Sequence, residues 1–193
     1  HAVLVQDAHY VYPRRYYGPM TVVQHLRYFI QKRQVKNCLR RSSIIYCQTT
    51  TMLKHITETF GNPGLHELPS KDISAAVVES LDNTDMPQEY EPFKKHFRLI
   101  CLTRYSPHKN LEAIVEMFIH AREALQNVVV FITIAANQHP NAKRLLDRIR
   151  QYGLSDHIVN LGPIDQHRIP AYFKNCHAML FPTLLESFSA TYL

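Results

Sequence analysis

The 193-residue chain has no run of about 18 uninterrupted apolar side chains, and its first residues lack the basic, apolar and small-residue succession of a secretory signal. A membrane span within it is not expected. The four cysteines, Cys38, Cys47, Cys101 and Cys176, form no C-x-x-C pair and fall in apolar patterns, so they read as reduced core thiols of a cytoplasmic protein. Twelve histidines are present, yet none shows the i, i+4 helical spacing or the His-x-Glu spacing of a zinc site. No helix-turn-helix, zinc-finger or RNP signature accompanies the basic charge, so no nucleic-acid partner is expected.

What is present describes a globular chain. Hydrophobic residues make up 46% of it, enough for a sizeable core. The net charge of +6 is concentrated early, at Arg14, Arg15, Arg27, Lys32, Arg33, Lys36, Arg40 and Arg41. Such a run is either a solvated helix face or a surface for phosphate or anionic lipid. The chain opens at His1 rather than methionine and stops at Leu193 inside an apolar, helix-like pattern. Both ends therefore read as truncated.

Apolar periodicity predicts a strand over residues 1–6 and a Pro- and Tyr-rich loop over 7–19. A helix with Val22, Leu26, Phe29 and Ile30 on one face follows, then a strand over 43–47. Next comes a helix over 49–60 whose face is Met52, Leu53, Ile56 and Phe60, closed by Gly61. Residues 1–69 read as the end of one α/β domain. The pattern weakens from 70 to 96, the expected connection. From 97 to 193 strands and helices alternate, with strands at 97–103, 128–135, 158–161 and 178–181 and helices at 110–126, 141–152 and 166–175. Short apolar strands separated by longer helices imply parallel βαβ units in a doubly wound sheet. In such sheets ligands bind outside the carboxyl ends of the strands, which directs attention to the loops after Thr103, Leu161 and Phe181.

Two of those loops carry charge. Arg104 and Lys109 stand between a strand end and a helix start, where the helix dipole disfavours cations unless an anion joins them. A phosphate would do so, although Arg104 paired with a carboxylate and an exposed Lys109 would also satisfy the charges. In the loop after Phe181, Glu186 stands among small hydroxyl residues ahead of a further helix, where a carboxylate also serves as a first-turn cap.

Together these loops resemble the donor site of the group 1, family 4-like glycosyltransferases of GT-B fold, two Rossmann-like doubly wound domains with the donor nucleotide-sugar on the second. The resemblance rests on residues 99–110, with Arg104, Lys109 and Asn110 in the place of that family's Gly-Arg, spacer, Lys-Asn signature. It continues through Leu161-Gly162-Pro163-Ile164, Ile169-Pro170-Ala171-Tyr172-Phe173 and residues 181–189. By this resemblance residues 1–69 belong to the acceptor domain and 97–193 to the donor domain. Two departures stand out: Thr103 replaces a glycine, and Ser187-Phe188-Ser189 replaces Gly-Phe-Gly.

The resemblance implies transfer of a hexose-type sugar from a nucleotide-diphospho-sugar, with retention of configuration, to a glycan or lipid-linked acceptor. Arg104 and Lys109 would bind the diphosphate, and Glu186, first member of a Glu-x7-Glu pattern, would bind sugar hydroxyls. The backbone of Ser187, Phe188, Ser189 and Ala190 would complete the phosphate cradle, with Thr191 adding a hydroxyl. Gly162 and Ile164 would lie against the nucleobase. No cofactor or metal is implied, in keeping with the absence of an Asp-x-Asp triplet. His9 matches an acceptor-side histidine of the family, against the alternative of a solvated loop residue. The early basic run permits peripheral attachment to an anionic membrane. Two other readings of the same fold stay open, a sugar-nucleotide epimerase and a non-catalytic sugar-nucleotide or anion-binding module. The two domain pieces alone would be inactive, because donor and acceptor domains close around one cleft.

Overall fold

In the computed structural model, residues 2–5, 10–12, 21–47, 49–61, 65–67 and 85–185 are described. The chain divides into two units, His1–Asp72 with Leu184–Leu193 and Ile73–Thr183. In the first, strands β1 (Ala2–Val5), β2 (Ile44–Cys47) and β3 (Leu65–Glu67) form a parallel sheet in that order. Helix α1 (Val22–Arg41) joins β1 to β2, and α2 (Thr50–Phe60) joins β2 to β3.

Local sequence explains both helix starts. The Thr21 hydroxyl accepts from the Gln24 amide at 3.3 Å while the Gln24 side chain accepts from the Thr21 amide at 2.7 Å, a reciprocal capping box. Thr49 caps α2 by accepting from the Met52 amide at 3.1 Å. Val5, Val11, Leu39, Ile45, Cys47, Met52, Ile56 and Leu185 form the core of this unit. Loop residues pin the helices: the Tyr10 hydroxyl donates to Gln31 at 3.0 Å, and the Tyr12 ring meets His55 with centroids 4.6 Å apart.

Two expectations for α1 are corrected here. Val22, Leu26, Phe29 and Ile30 share a face, as their spacing predicts, but that face is exposed, and Leu39 is the helix's buried residue. Cys38, on the same helix, is exposed rather than a core thiol, whereas Cys47 and Cys101 are buried.

The second unit has the strand order β6-β5-β4-β7, all parallel: β4 (Phe97–Cys101), β5 (Val128–Ile132), β6 (Ile158–Asn160) and β7 (Ala178–Met179). This order reverses beside β4. Alternation along the strands sends Cys101, Val130, Ile132 and Ile158 to one face, where α3 (Glu112–Ala121) and α4 (Pro140–Gln151) bury Ile114, Val115, Phe118, Ala142, Leu145 and Ile149. Ile100, Val129 and Phe131 point to the other, against Tyr172 of α5 (Ile169–Lys174) and Tyr90 of a 3₁₀ helix, Gln88–Phe93. The sheet is thus covered on both faces.

Helix α4 stops where glycine is required. Gly153 has φ +61°, its amide donates to the Arg150 carbonyl at 3.0 Å, and Leu154 donates to the Ile149 carbonyl at 2.9 Å while both side chains enter the core. These are the bonds and the apolar contact of a Schellman stop. At the amino end of β4, buried Arg98 donates to the carbonyls of Phe93, Lys94, His96 and Asn175 at 2.9–3.4 Å. One cation so collects the carbonyl ends of the 3₁₀ helix and α5, where the backbone carries partial negative charge.

Candidate active site

At the carboxyl ends of β5 and β6, two polar side chains continue the ladder. Thr133, buried just past the apolar run of β5, accepts from the Thr103 amide and donates to the Thr103 carbonyl, both at 3.0 Å. Asn160 does the same between β6 and β5, accepting from the Ile134 amide at 3.1 Å and donating to the Ile134 carbonyl at 3.0 Å. Its carbonyl also accepts from the Gly162 amide at 3.2 Å, in a turn where Gly162 has φ +71°. Gln138 accepts from the Tyr105 amide at 3.0 Å. Three loops are thereby held against one another at the carboxyl ends of β4, β5 and β6.

The crevice between them has a volume of about 210 Å³ and is lined by Leu102, Thr103, Arg104, Thr133, Gln138, Pro163 and Ile164. Arg104 is exposed, and among the described residues its guanidinium has neither a hydrogen bond nor an ion pair. The carboxylate partner that would have explained this cation structurally is therefore absent among the described residues. The nearest acid in sequence, Glu112, sits in the first turn of α3 and accepts instead from the Tyr105 hydroxyl at 2.5 Å. Burial, and then that bond, hold the Tyr105 hydroxyl well above the ordinary phenol range. Its proton therefore stays on at neutral pH.

The same loop forms a 3₁₀ turn, Pro107–Lys109, that ends on Asn110 in the left-handed region at φ 53°. Asparagine tolerates that conformation because its short polar side chain bonds locally. The Asn110 side-chain amide donates to the Pro182 carbonyl at 3.2 Å, and the Thr183 hydroxyl donates to the His108 carbonyl at 3.2 Å. These bonds tie the two loops that the sequence singles out. Lys109 is half-buried, with Nζ 5.6 Å from the centroid of the Phe181 ring. It does not line the crevice with Arg104. Cys101 lies beneath, its thiol pushed up to about 11 by burial against the opposing pull of Lys109, so it remains protonated.

Of the expected site residues, Arg104, Gly162 and Ile164 converge on this crevice or its rim, and Lys109 is on the adjoining turn. Glu186, Ser187, Phe188, Ser189, Ala190, Thr191 and His9 lie outside the described residues. Thr133, Gln138 and Asn160, which sequence reasoning missed, hold the loops. The signal for two of them is a polar residue placed at the end of an apolar strand.

A doubly wound parallel sheet whose loops form a crevice at the carboxyl ends of its strands, beside an arginine unpaired among the described residues, defines a Rossmann-like ligand-binding domain able to receive an anion. The family described as glycosyl transferases group 1 matches residues 82–193, more than half of the sequence, and the chain belongs to that family. The fold is accordingly GT-B. Similar solved structures include sucrose-phosphate synthase from Thermosynechococcus elongatus, with TM-score 0.72, 11% identity and coverage of 98% of this chain and 46% of that one. Anabaena HepE in complex with UDP and glucose gives TM-score 0.65 and 13% identity over 98% and 48%. The pneumococcal O-GlcNAc transferase GtfA in complex with UDP and GlcNAc gives 0.62 and 17% over 98% and 34%. The chain spans less than half the length of each. A comparison with curated proteins returned no significant match.

Proposed function

We propose that this chain carries the donor site of a retaining, family 4-like hexosyltransferase, which moves a sugar from a nucleotide-diphospho-sugar to a glycan or lipid-linked acceptor in the cytoplasm, without a divalent metal or cofactor. The observation that carries the reading is the Arg104 guanidinium, unpartnered among the described residues at the edge of a crevice on the carboxyl side of the sheet. An exposed cation on a loop that is otherwise tied down at every turn is preorganised for an anion. The group 1 family match and the UDP and sugar complexes of HepE and GtfA support a nucleoside diphosphate as that anion. The crevice is smaller than the roughly 300–1,000 Å³ of sites that enclose a whole ligand, so it would take one portion of the donor.

In this reading Arg104 and Lys109 stabilise the charge that develops on the departing diphosphate, and charge-assisted bonds to phosphate are strong enough to matter there. Pro163 and Ile164 give the nucleobase an apolar wall. Glu186 orients the sugar through its hydroxyls, and the backbone of residues 187–190 with Thr191 closes on the phosphates. His9 approaches from the acceptor side. With position and electrostatics supplied, attack on the same face as the leaving group retains the configuration. A non-catalytic binding module is the second reading, favoured by Ser187 and Ser189 at positions where the family has glycine.

Isothermal titration of the full chain with UDP, GDP and dTDP tests the assignment. Arg104→Ala is expected to weaken the preferred nucleotide by about 1.5–3 kcal/mol, the range for bonds to charged groups. Unchanged affinity in both Arg104→Ala and Lys109→Ala would sink the phosphate assignment. Glu186→Gln separates the two readings. It slows transfer far more than it weakens the free nucleotide if the enzyme reading holds, and no transfer by the parent protein supports the module.

A further inference from the structure

Gln138 lines the crevice together with Arg104, and it is held from two directions. Its backbone amide donates to the Ala135 carbonyl at 3.2 Å, closing a turn after β5, and its side-chain oxygen accepts from the Tyr105 amide at 3.0 Å. A backbone N–H can only donate, so that second bond settles which branch of the Gln138 amide is oxygen and which is nitrogen. The next residue reinforces the arrangement. The His139 ring caps α4 by accepting from the Asn141 amide at 3.1 Å, and it stacks on the Tyr105 ring with centroids 5.3 Å apart. A loop glutamine ordinarily samples many rotamers and must give them up to bind. This one is ordered by its own neighbours, and its side-chain N–H groups have no acceptor among the described residues.

The two hydroxyls of the crevice are committed differently. Thr133 accepts from the Thr103 amide and donates to the Thr103 carbonyl, which occupies its proton. The Thr103 hydroxyl donates to the Arg104 carbonyl at 3.1 Å, so it offers an occupant only lone pairs. No carboxylate lines the crevice, and Leu102, Pro163 and Ile164 give it an apolar wall. Backbone groups bring donors and acceptors alike and select no base. With Arg104 left for the diphosphate, the side chains therefore present the Gln138 donors and the Thr103 acceptor.

We propose that this crevice reads the edge of a uracil or thymine ring, so that the donor is a uridine- or thymidine-diphospho-sugar, and that Gln138 is the residue that selects it. The proposal rests on the donor-site reading above. Both rings carry two carbonyl oxygens with a single N–H between them. The O4 carbonyl accepts from Gln138, and the ring N–H donates to Thr103. Cytosine and adenine carry an amino group in place of that carbonyl and set donor against donor at Gln138. Guanine keeps a carbonyl but adds an amino group to its ring N–H, and the lining side chains hold one acceptor for both. A site built to bond a particular group rejects the analogue that lacks it, because its own polar groups are then left unpaired.

Titration calorimetry of the full chain with UDP, dTDP, CDP, GDP and ADP is the test. UDP and CDP share ribose, diphosphate and ring size, so the ratio of their affinities isolates the edge. CDP is expected to bind about 5- to 150-fold more weakly than UDP, the loss for a polar group left unpaired. The tighter of UDP and dTDP distinguishes uracil from thymine. Gln138→Glu keeps an oxygen for the Tyr105 amide and removes the N–H donors. Its added charge weakens every diphosphate alike, so the ratio is again the readout, and it is expected to vanish or reverse as the carboxylate accepts from the cytosine amino group. A role confined to holding the Tyr105 turn would lower both nucleotides together and leave the ratio as it was. Equal binding of UDP and CDP, a preference for GDP or ADP, or an unchanged ratio in Gln138→Glu overturns the proposal. If Arg104→Ala still weakens the nucleotides in those cases, the diphosphate site stands and the base assignment alone fails. No nucleotide bound by the parent protein overturns both.

Discussion

Helices α1 and α4 both carry apolar residues at helical spacing, and only one of the two sets is a core. Ala142, Leu145 and Ile149 of α4 are at most 4% exposed, whereas no residue of the Val22, Leu26, Phe29 and Ile30 set of α1 is less than 48% exposed. The difference is in what lies beside each stripe. On α4 the polar positions hold both signs, with Arg148 paired to Glu116 at 2.6 Å and Arg150 paired to Asp147. On α1 they hold cations alone, and the helix docks through a mixed face of Tyr28, Val35 and Leu39 instead. Periodicity establishes that a helix forms; the composition of the other faces indicates what the apolar one meets.

The largest expected effect sharpens that contrast. Leu145→Ala removes a side chain from the close-packed layer between α4 and the sheet, and chemical denaturation of the full chain is expected to show a loss of about 2–5 kcal/mol. Leu26→Ala, the same chemical change, is expected to stay within about 0.5 kcal/mol, as exposed substitutions do. Comparable losses at both positions would erase the distinction between the two stripes. A smaller effect is expected at the site. Thr133→Val keeps the shape and deletes the hydroxyl that bonds both backbone groups of Thr103, costing about 1–3 kcal/mol for groups left without partners. If this variant loses stability but binds nucleotide as before, the bridge serves the sheet and not the Arg104 loop.

Much of the fold was legible in the sequence because its second unit obeys simple rules. Apolar runs at 99–101 and 128–132, helix faces at i, i+3 and i+4, and Gly153 as a stop each have one physical solution. The Arg104 and Ile164 side of the candidate site was legible for a related reason, since the loops at strand ends are where a doubly wound sheet leaves room. What was not legible depends on partners distant in sequence. Nothing local says that Asn110 turns away from its helix to bond Pro182, 72 residues on, or that Thr133 and Asn160 bond backbone beyond the strand ends. Tyr90 was hidden because Pro92 and the neighbouring acids break the period, yet the segment from Gln88 to Phe93 folds as a 3₁₀ helix and buries that ring against Phe131, centroids 4.1 Å apart.

That 3₁₀ helix also supplies the smallest prediction, one of pH. Glu89 accepts from Arg168 and from the Tyr172 hydroxyl, both at 2.9 Å, while Arg168 stacks 5.3 Å from the Tyr172 ring. Burial would raise the Glu89 carboxyl, but its backbone bond and the Arg168 and Tyr172 bonds outweigh burial and hold it below the ordinary carboxylate range. A carboxyl lowered by folding stabilises the fold above its unfolded value, about 4.3 for glutamate, and the gain disappears as pH falls through the lowered value. The pair is more than a third exposed, so the contribution is about 0.2–1 kcal/mol, the range for solvent-screened pairs. Thermal melts of the parent protein and Glu89→Gln should therefore differ slightly at pH 7 and converge as pH falls below about 4.3, the unfolded value. The buried carbonyl cage of Arg98, made of groups that do not titrate, contributes no such convergence, so a parent curve that falls steeply while Glu89→Gln follows it unchanged would place the acid sensitivity elsewhere.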